Sequence, residues 1–138
     1  MFLLDTNVVS ELRRPEKADP RVLAWASAAP VASVFLSSIT VLELELGVLL
    51  AERRDTAQGA VLRAWLDGQL LPRFEGRVLG VDTAVALQCA RLHVPDPRAH
   101  RDALIAATAI VHGMTVATRN VADFAPMGVR TFNPWTEG

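Results

Sequence analysis

Short apolar runs alternate along this chain with longer stretches in which apolar residues recur at helical spacing. Phe2-Leu3-Leu4 reads as a first strand and leads directly into Asp5-Thr6-Asn7, residue types that cap helices. A helix from Thr6 to about Arg14 must stop at Pro15. A second opens at Pro20, carries Val22, Leu23, Trp25 and Ala26 inward, and ends before Pro30. Val34-Phe35-Leu36 is the second strand, and Ser38 is placed to cap a long helix over residues 39–54. Residues 56–71 form a further helix, with Val61, Leu62, Trp65 and Leu66 at core-facing positions. Residues 77–81 then read as a third strand, and Asp82 caps a helix to about residue 92. Pro95-Asp96-Pro97 is a rigid break. The helix over residues 99–112 stops at Gly113. Residues 115–117 and 129–132 supply the last two strands, with one short helical turn over residues 120–125 between them. Repeats, low-complexity tracts and linkers are absent from the sequence. Strands alternating with helices predict an α/β domain on a mostly parallel five-stranded sheet, with residues 1–138 as a single domain.

Composition narrows the class. The chain has 138 residues, 51% of them hydrophobic, and a mean hydropathy of +0.25, which excludes a disordered tail. Its longest apolar candidate, residues 103–111, contains Thr108 and falls well short of the roughly 18 residues a membrane span needs. The opening Met-Phe-Leu-Leu-Asp has no basic leader, so a cytoplasmic protein without a membrane partner is expected. A lone cysteine, Cys89, rules out an internal disulfide framework and a cysteine-based zinc site. The net charge of −1 gives no global nucleic-acid footprint.

Open parallel sheets bind ligands beyond the carboxyl ends of their strands, and four acids fall in or near such positions. Asp5 follows the first strand and Asp123 lies shortly after the fourth. Glu43 is early in the helix after the second strand, and Asp102 is in the first turns of the helix before the fourth. Glu43 sits among apolar neighbours in Ile39-Thr40-Val41-Leu42-Glu43-Leu44-Glu45-Leu46, where an unpaired acid is costly. Glu45 lies about 200° around the helix from it, so the two cannot serve one site. Asp102 opens a helix apolar on nearly all sides, with small residues at 103, 106, 107 and 109 that permit close approach to the sheet. Each acid also has an ordinary reading: Asp5 as a cap, Asp102 as an acid favoured by the helix dipole, and Asp123 as a turn residue. As a group they carry a physical consequence. Two unit charges about 4 Å apart repel by roughly 4 kcal/mol at an effective dielectric of about 20, so gathered carboxylates call for a cation. Oxygen-only ligands favour Mg²⁺ or Mn²⁺, ions that support hydrolysis of phosphate esters.

The sequence resembles the PIN-domain ribonucleases, and within them the VapC toxins of bacterial toxin–antitoxin pairs. The resemblance covers almost the whole chain. It rests on Phe2 to Asn7, Ser38 to Gly47, Asp102 to Ala109, and Thr118-Arg119-Asn120 through Asp123-Phe124, while Asn133-Pro134-Trp135 is similar to the FitB-like branch. It implies a three-layer α/β/α fold and a divalent-metal endoribonuclease, with Mg²⁺ or Mn²⁺ as cofactor. It further implies that Asp5 and Asp102 hold the principal ion and that Glu43 helps bind it or orients water. Asp123 would support a second ion or the water network, and Thr6, Asn7, Thr118 and Asn120 would line the pocket. The implied reaction is in-line attack of an activated water on RNA, leaving a 5′-phosphate and a 3′-hydroxyl. Its partners would be an RNA substrate, a cognate VapB-like antitoxin whose C-terminal segment blocks the groove, and a second copy in a homodimer.

The remaining polar and aromatic residues add less. Arg13, Arg14, Arg98, Arg101 and Arg119 are candidates to offset the acids for an anionic substrate. His93, His100 and His112 show no metal spacing and read as structural or surface residues. Cys89 reads as core, and Trp25, Trp65 and Trp135 as core or dimer contacts rather than base-stacking platforms. Two other functions compete. An Asp-nucleophile phosphohydrolase would use Asp5, but the general-acid position two residues on is Asn7, and a receiver domain needs a late lysine where the only lysine is Lys17. A catalytically silent RNA- or protein-binding module normally shows substituted acids, and here all four are intact.

Overall fold

In a computed structural model describing residues 1–137, the two residue periods meet at a five-stranded sheet in which every strand is parallel to its neighbours. The strands are β1 (Phe2–Leu4), β2 (Val34–Ser37), β3 (Val78–Leu79), β4 (Thr115–Ala117) and β5 (Thr131–Phe132), in the order β3-β2-β1-β4-β5. β1 is central, pairing Leu3 with Phe35 on one side and Val116 on the other. The period of two is visible in the packing. Leu3 and Val116 enter one buried cluster and Leu4 and Ala117 the other, so the sheet separates two apolar layers.

Helices cover both faces. On one side lie α6 (Thr83–Leu92) and α7 (His100–His112), whose Ala103, Ala106, Ala107 and Ala109 are fully buried, as the run of small residues predicts. On the other lie α1 (Thr6–Leu12), α2 (Pro20–Ala28), α3 (Ser38–Arg54) and α4 (Thr56–Trp65), with Val8, Val22, Leu44 and Val48 facing inward. The short α5 (Leu71–Arg73) follows a π-type turn over Leu66–Leu70, and α8 (Val121–Phe124) is one turn between β4 and β5. Asp82 caps α6 by accepting from Val85 N at 3.0 Å, and Gly113 ends α7 in the left-handed region at φ 67°.

Four local expectations need correction. Ser37, not Ser38, caps α3, because β2 runs one residue further and the Ser37 hydroxyl accepts from Ile39 N at 3.0 Å. The helix expected over residues 56–71 is regular only to Trp65. Pro72 has no N–H to offer the Gly68 carbonyl and its ring crowds that carbonyl, so the preceding turn widens while keeping Leu66 and Leu70 buried. Val61 faces solvent, and Leu62 and Leu66 carry the α4 contact instead. The edge strands β3 and β5 are shorter than expected, although Arg77 and Arg130 still lend carbonyls to Leu36 and Val116.

Candidate active site

β1 and β4 lie side by side, and the chain leaves their carboxyl ends in opposite directions around the sheet. This opens a crevice between Asp5 and Thr118. The backbone N–H of Asp5 donates to the Ala117 carbonyl at 2.9 Å and that of Thr118 to the Phe132 carbonyl at 2.9 Å, so both residues are fixed by sheet bonds. Asp5 is buried, at 6% exposure, and both its carboxylate oxygens are occupied: Oδ1 accepts from Thr6 N and Oδ2 from the Thr118 hydroxyl, each at 2.8 Å. Asp5 is thus the N-cap of α1 and a crevice acid at once.

Around Asp5 the four expected polar residues form one network. The fully buried Thr118 hydroxyl accepts from Asn120 N at 2.9 Å and lies 3.4 Å from Asn7 Nδ2, while Asn7 Oδ1 accepts from Arg119 N at 3.4 Å. On the other side, the Thr6 hydroxyl donates to Glu43 Oε1 at 2.7 Å and lies 3.4 Å from the buried Thr40 hydroxyl. Glu43 thus has partners for both oxygens, as the cost of an unpaired acid on an apolar helix requires. Leu42 and Leu46 beside it are exposed, and its second oxygen faces Arg101 Nη1 at 3.7 Å. Glu45 turns away to a bidentate pair with Arg63 of α4, at 2.7 and 2.8 Å, consistent with its place on the opposite face.

Asp102, half-buried in the first turn of α7, and the exposed Asp123 of α8 complete the group. Burial is the largest influence on Asp5 and raises its pKa above 3.8. The Thr118 and Thr6 bonds pull it back, and the charges of Glu43 and Asp123 push it up again. Burial also leads for Asp102, which is raised further by Asp5, Asp123 and Glu43 in turn. The neighbouring carboxylates thus act on Asp5 and Asp102 together with burial, and both ionise less readily than a free carboxylate. Among the described residues, no three His, Cys, Asp or Glu side chains converge closely enough to cage a metal ion.

The PIN domain family model matches residues 2–125. The chain belongs to the PIN-domain family. The match spans all four acids. Among relatives, this PIN protein is 43% identical over 141 residues to Toxin FitB of Neisseria gonorrhoeae, covering 98% of this chain and 99% of that one. It is 39% identical over 140 residues to VapC ribonuclease Y4jK of Sinorhizobium fredii, covering 98% of each. Its fold superposes on the crystal structure of FitAcB from Neisseria gonorrhoeae with a TM-score of 0.90 at 42% identity, over 99% of both chains. VapC ribonucleases with PIN domains depend as a class on a divalent metal ion. The chemistry of the four acids suits such an ion, oxygen donors without histidine or cysteine, while their present spacing stays too open to cage one.

Two features of this PIN fold were missed in the sequence. Thr40 stands one turn before Glu43 on the same helix face, a Thr-x-x-Glu spacing that puts a buried hydroxyl beside the acid. The second is a cavity of about 410 Å³ between α1, α2 and the π-type turn, lined by Leu12, Trp25, Trp65 and Phe74 and bordered by Arg13, Arg73 and Arg77. A smaller cleft shares Arg13 and Trp65 with it and reaches Thr6 and Glu43. Long-range packing alone brings those residues together. Trp25, partly buried against the core, meets Phe2 edge-on and Phe132 at a tilt, and Trp135 is buried under Arg119, whose guanidinium lies 5.2 Å from the ring. Cys89 is buried and approached by His93 Nε2 at 3.8 Å. No helix of the described residues is long and apolar enough to cross a membrane.

Proposed function

We propose that this chain is a divalent-metal-dependent endoribonuclease, the toxin of a toxin–antitoxin pair, which hydrolyses RNA phosphodiester bonds with an activated water. The observation that carries the reading is the gathering of Glu43, Asp102 and Asp123 around Asp5 at the end of β1, with Asp5 fixed by Thr6 and Thr118 and both Asp5 and Asp102 raised in pKa by burial and neighbouring carboxylates. Its relatives named Toxin FitB and VapC ribonuclease support it. When bound, Mg²⁺ or Mn²⁺ supplies positive charge among these acids and acidifies water at neutral pH.

The chain's own residues set the geometry. Asp5 and Asp102 are the principal ligands, and Thr118 and the Thr6 N–H hold the Asp5 carboxylate in one orientation. Glu43, steered by Thr6, completes the ligand set or orients the attacking water. Asp123, at the exposed mouth, supports a second ion or the water network, and Asn7 and Asn120 brace Thr118. Arg13 and Arg119 border the acids and offer charge to the RNA backbone. Cleavage leaves a 5′-phosphate and a 3′-hydroxyl, without participation of the RNA 2′-hydroxyl. Residues 1–138 act as one PIN domain, in the cytoplasm, as a homodimer. The apolar cavity with its arginine border suits an amphipathic, acidic segment of a VapB-like antitoxin, and the adjoining cleft leads that segment to Glu43.

The test maps new 5′-phosphate RNA ends across a transcriptome after brief induction, native chain against Asp102→Asn at matched soluble expression. Discrete ends seen only with the native chain support the proposal. No difference, with both proteins folded, favours a silent PIN-like binding module.

A further inference from the structure

Thr6 and Arg101 between them engage both oxygens of Glu43. The Thr6 hydroxyl donates to Oε1 at 2.7 Å, and the Arg101 guanidinium stands 3.7 Å from Oε2. Arg101 directly precedes Asp102, so one turn of α7 delivers a carboxylate and a cation to the same place. Among the described residues, this is the one ion pair that reaches the four acids; the others join Arg21 or Arg63 to carboxylates elsewhere.

We infer that Arg101 is the resident counter-cation of the acid cluster and competes with the divalent ion for Glu43, so that Glu43 becomes a ligand only when the guanidinium withdraws. The inference rests on the metal-dependent reading above. Three observations carry it. At 3.7 Å the pair is looser than a hydrogen-bonded fork, so it gives way without breaking a strong bond. The Arg101 side chain is 51% exposed, against 26% for Glu43, so the cation has solvent to retire into while the acid stays at the site. Finally, four like charges gather here: Asp5, Asp123 and Glu43 all lie near enough to act on Asp102, and like charges repel. A guanidinium at Glu43 relieves part of that repulsion in the metal-free chain and repels an arriving ion. Arg101 is therefore a positioning residue that sets metal affinity, acting through Glu43.

The experiment is calorimetric titration of EDTA-stripped protein with Mn²⁺ at fixed ionic strength. It compares the native chain, Arg101→Gln and Arg101→Lys, then repeats Arg101→Gln in a Glu43→Gln background. Because Arg101 is half exposed, its variants keep the fold, which a thermal melt verifies. Arg101→Gln is expected to bind Mn²⁺ about three- to tenfold more tightly, and Arg101→Lys to stay within about twofold of native. The gain is expected to disappear in the Glu43→Gln background. Unchanged or weaker binding by Arg101→Gln overturns the inference while leaving the metal site in place, as does a gain of equal size without Glu43. Failure of both the native chain and Arg101→Gln to bind Mn²⁺ overturns the metal-dependent reading and the inference with it.

Discussion

Thr118→Val deletes one hydroxyl at the centre of the crevice and nearly preserves the shape of the side chain. The native hydroxyl donates to Asp5 Oδ2 at 2.8 Å and accepts from Asn120 N at 2.9 Å. Asn120 is exposed, so water replaces its lost acceptor, and the cost falls on Asp5. A hydrogen bond to an ionised group contributes about 1.5–3 kcal/mol, against about 0.5–1.5 kcal/mol for a neutral pair. Replacing a buried hydroxyl with a methyl returns about 1 kcal/mol. The variant should therefore be about 0.5–2 kcal/mol less stable than native at pH 7, with Asp5 ionised. With Asp5 protonated, the two should be nearly equal in stability.

That difference gives the prediction a pH signature. Asp5 has a folded pKa raised above 3.8, so its contribution to stability is fully present below 3.8 and is lost as pH rises through the folded value. The Thr118 bond is the largest of the influences that lower this pKa. Without it the pKa moves further up, and the variant loses more stability than native over the window above 3.8. Urea denaturation in EDTA, from pH 3.5 to 8, measures both curves. A destabilisation that grows with pH is expected. A constant difference across the range would mean that the hydroxyl packs or holds Asn120 without stabilising the Asp5 charge, and would refute the reasoning.

Asp102→Asn should lower RNA cleavage by at least about 100-fold and raise the thermal midpoint of the metal-free protein at pH 7. Its pKa is raised by burial and three like charges, so its stabilising contribution is present below 3.8 and lost above the folded pKa; a differential scanning calorimetry scan that showed no rise would contradict this. Gly59→Ala should destabilise by up to about 2 kcal/mol: a Cβ there meets Glu52 Cα at 2.5 Å, and backbone displacement of about 1–3 kcal/mol is set against a helix-propensity gain of about 1 kcal/mol. Gly47→Ala, with nothing within 4 Å, should instead stabilise by about 0.5–1 kcal/mol; equal signs in urea denaturation would refute the packing argument. Arg63→Ala should lower the thermal midpoint by an amount that shrinks in high salt, because Arg63 joins Glu45, Glu52 and Asp67 across partly exposed surface.

What was legible in the sequence was local. Strand and helix periods, the Asp82 cap, the Gly113 stop and the buried small residues of α7 depend on near neighbours along the chain, and each appears in the structure. The misreadings arise where distant contacts decide. Glu43 reads as an acid set in an apolar helix, yet Leu42 and Leu46 are exposed, and its partners, which the local sequence does not name, come from residues 6 and 101. Val61 has the right period and the wrong face, because the close approach of α4 to α3 at Gly59 sets the rotation of the helix. The arginine-bordered cavity draws on α1, α2, β2 and the π-type turn, and no segment carries its pattern alone.

Asp5 shows why ordinary and functional readings of a residue need not compete. Capping α1 requires a side-chain oxygen beside the first free N–H of a helix, and Asp5 Oδ1 provides it at 2.8 Å. The same bond stabilises the carboxylate charge and opposes the larger effect of burial. The cap also leaves Oδ2 pointing to Thr118 at the end of the adjacent strand, so the register of β1 against β4 fixes the carboxylate plane. The strand end, the helix start and the acid are one arrangement, in which the fold restrains the orientation a ligating oxygen needs. Asp123 has no comparable restraint: it is exposed on a single helical turn. The physical asymmetry between these two acids therefore predicts an asymmetry of roles. Replacing Asp5 by alanine removes the cap of α1 and should disturb both folding and chemistry, whereas replacing Asp123 should act on chemistry with little change in stability, a split that paired melting and cleavage measurements on Asp5→Ala and Asp123→Ala would reveal. Equal destabilisation by the two substitutions would sink the argument.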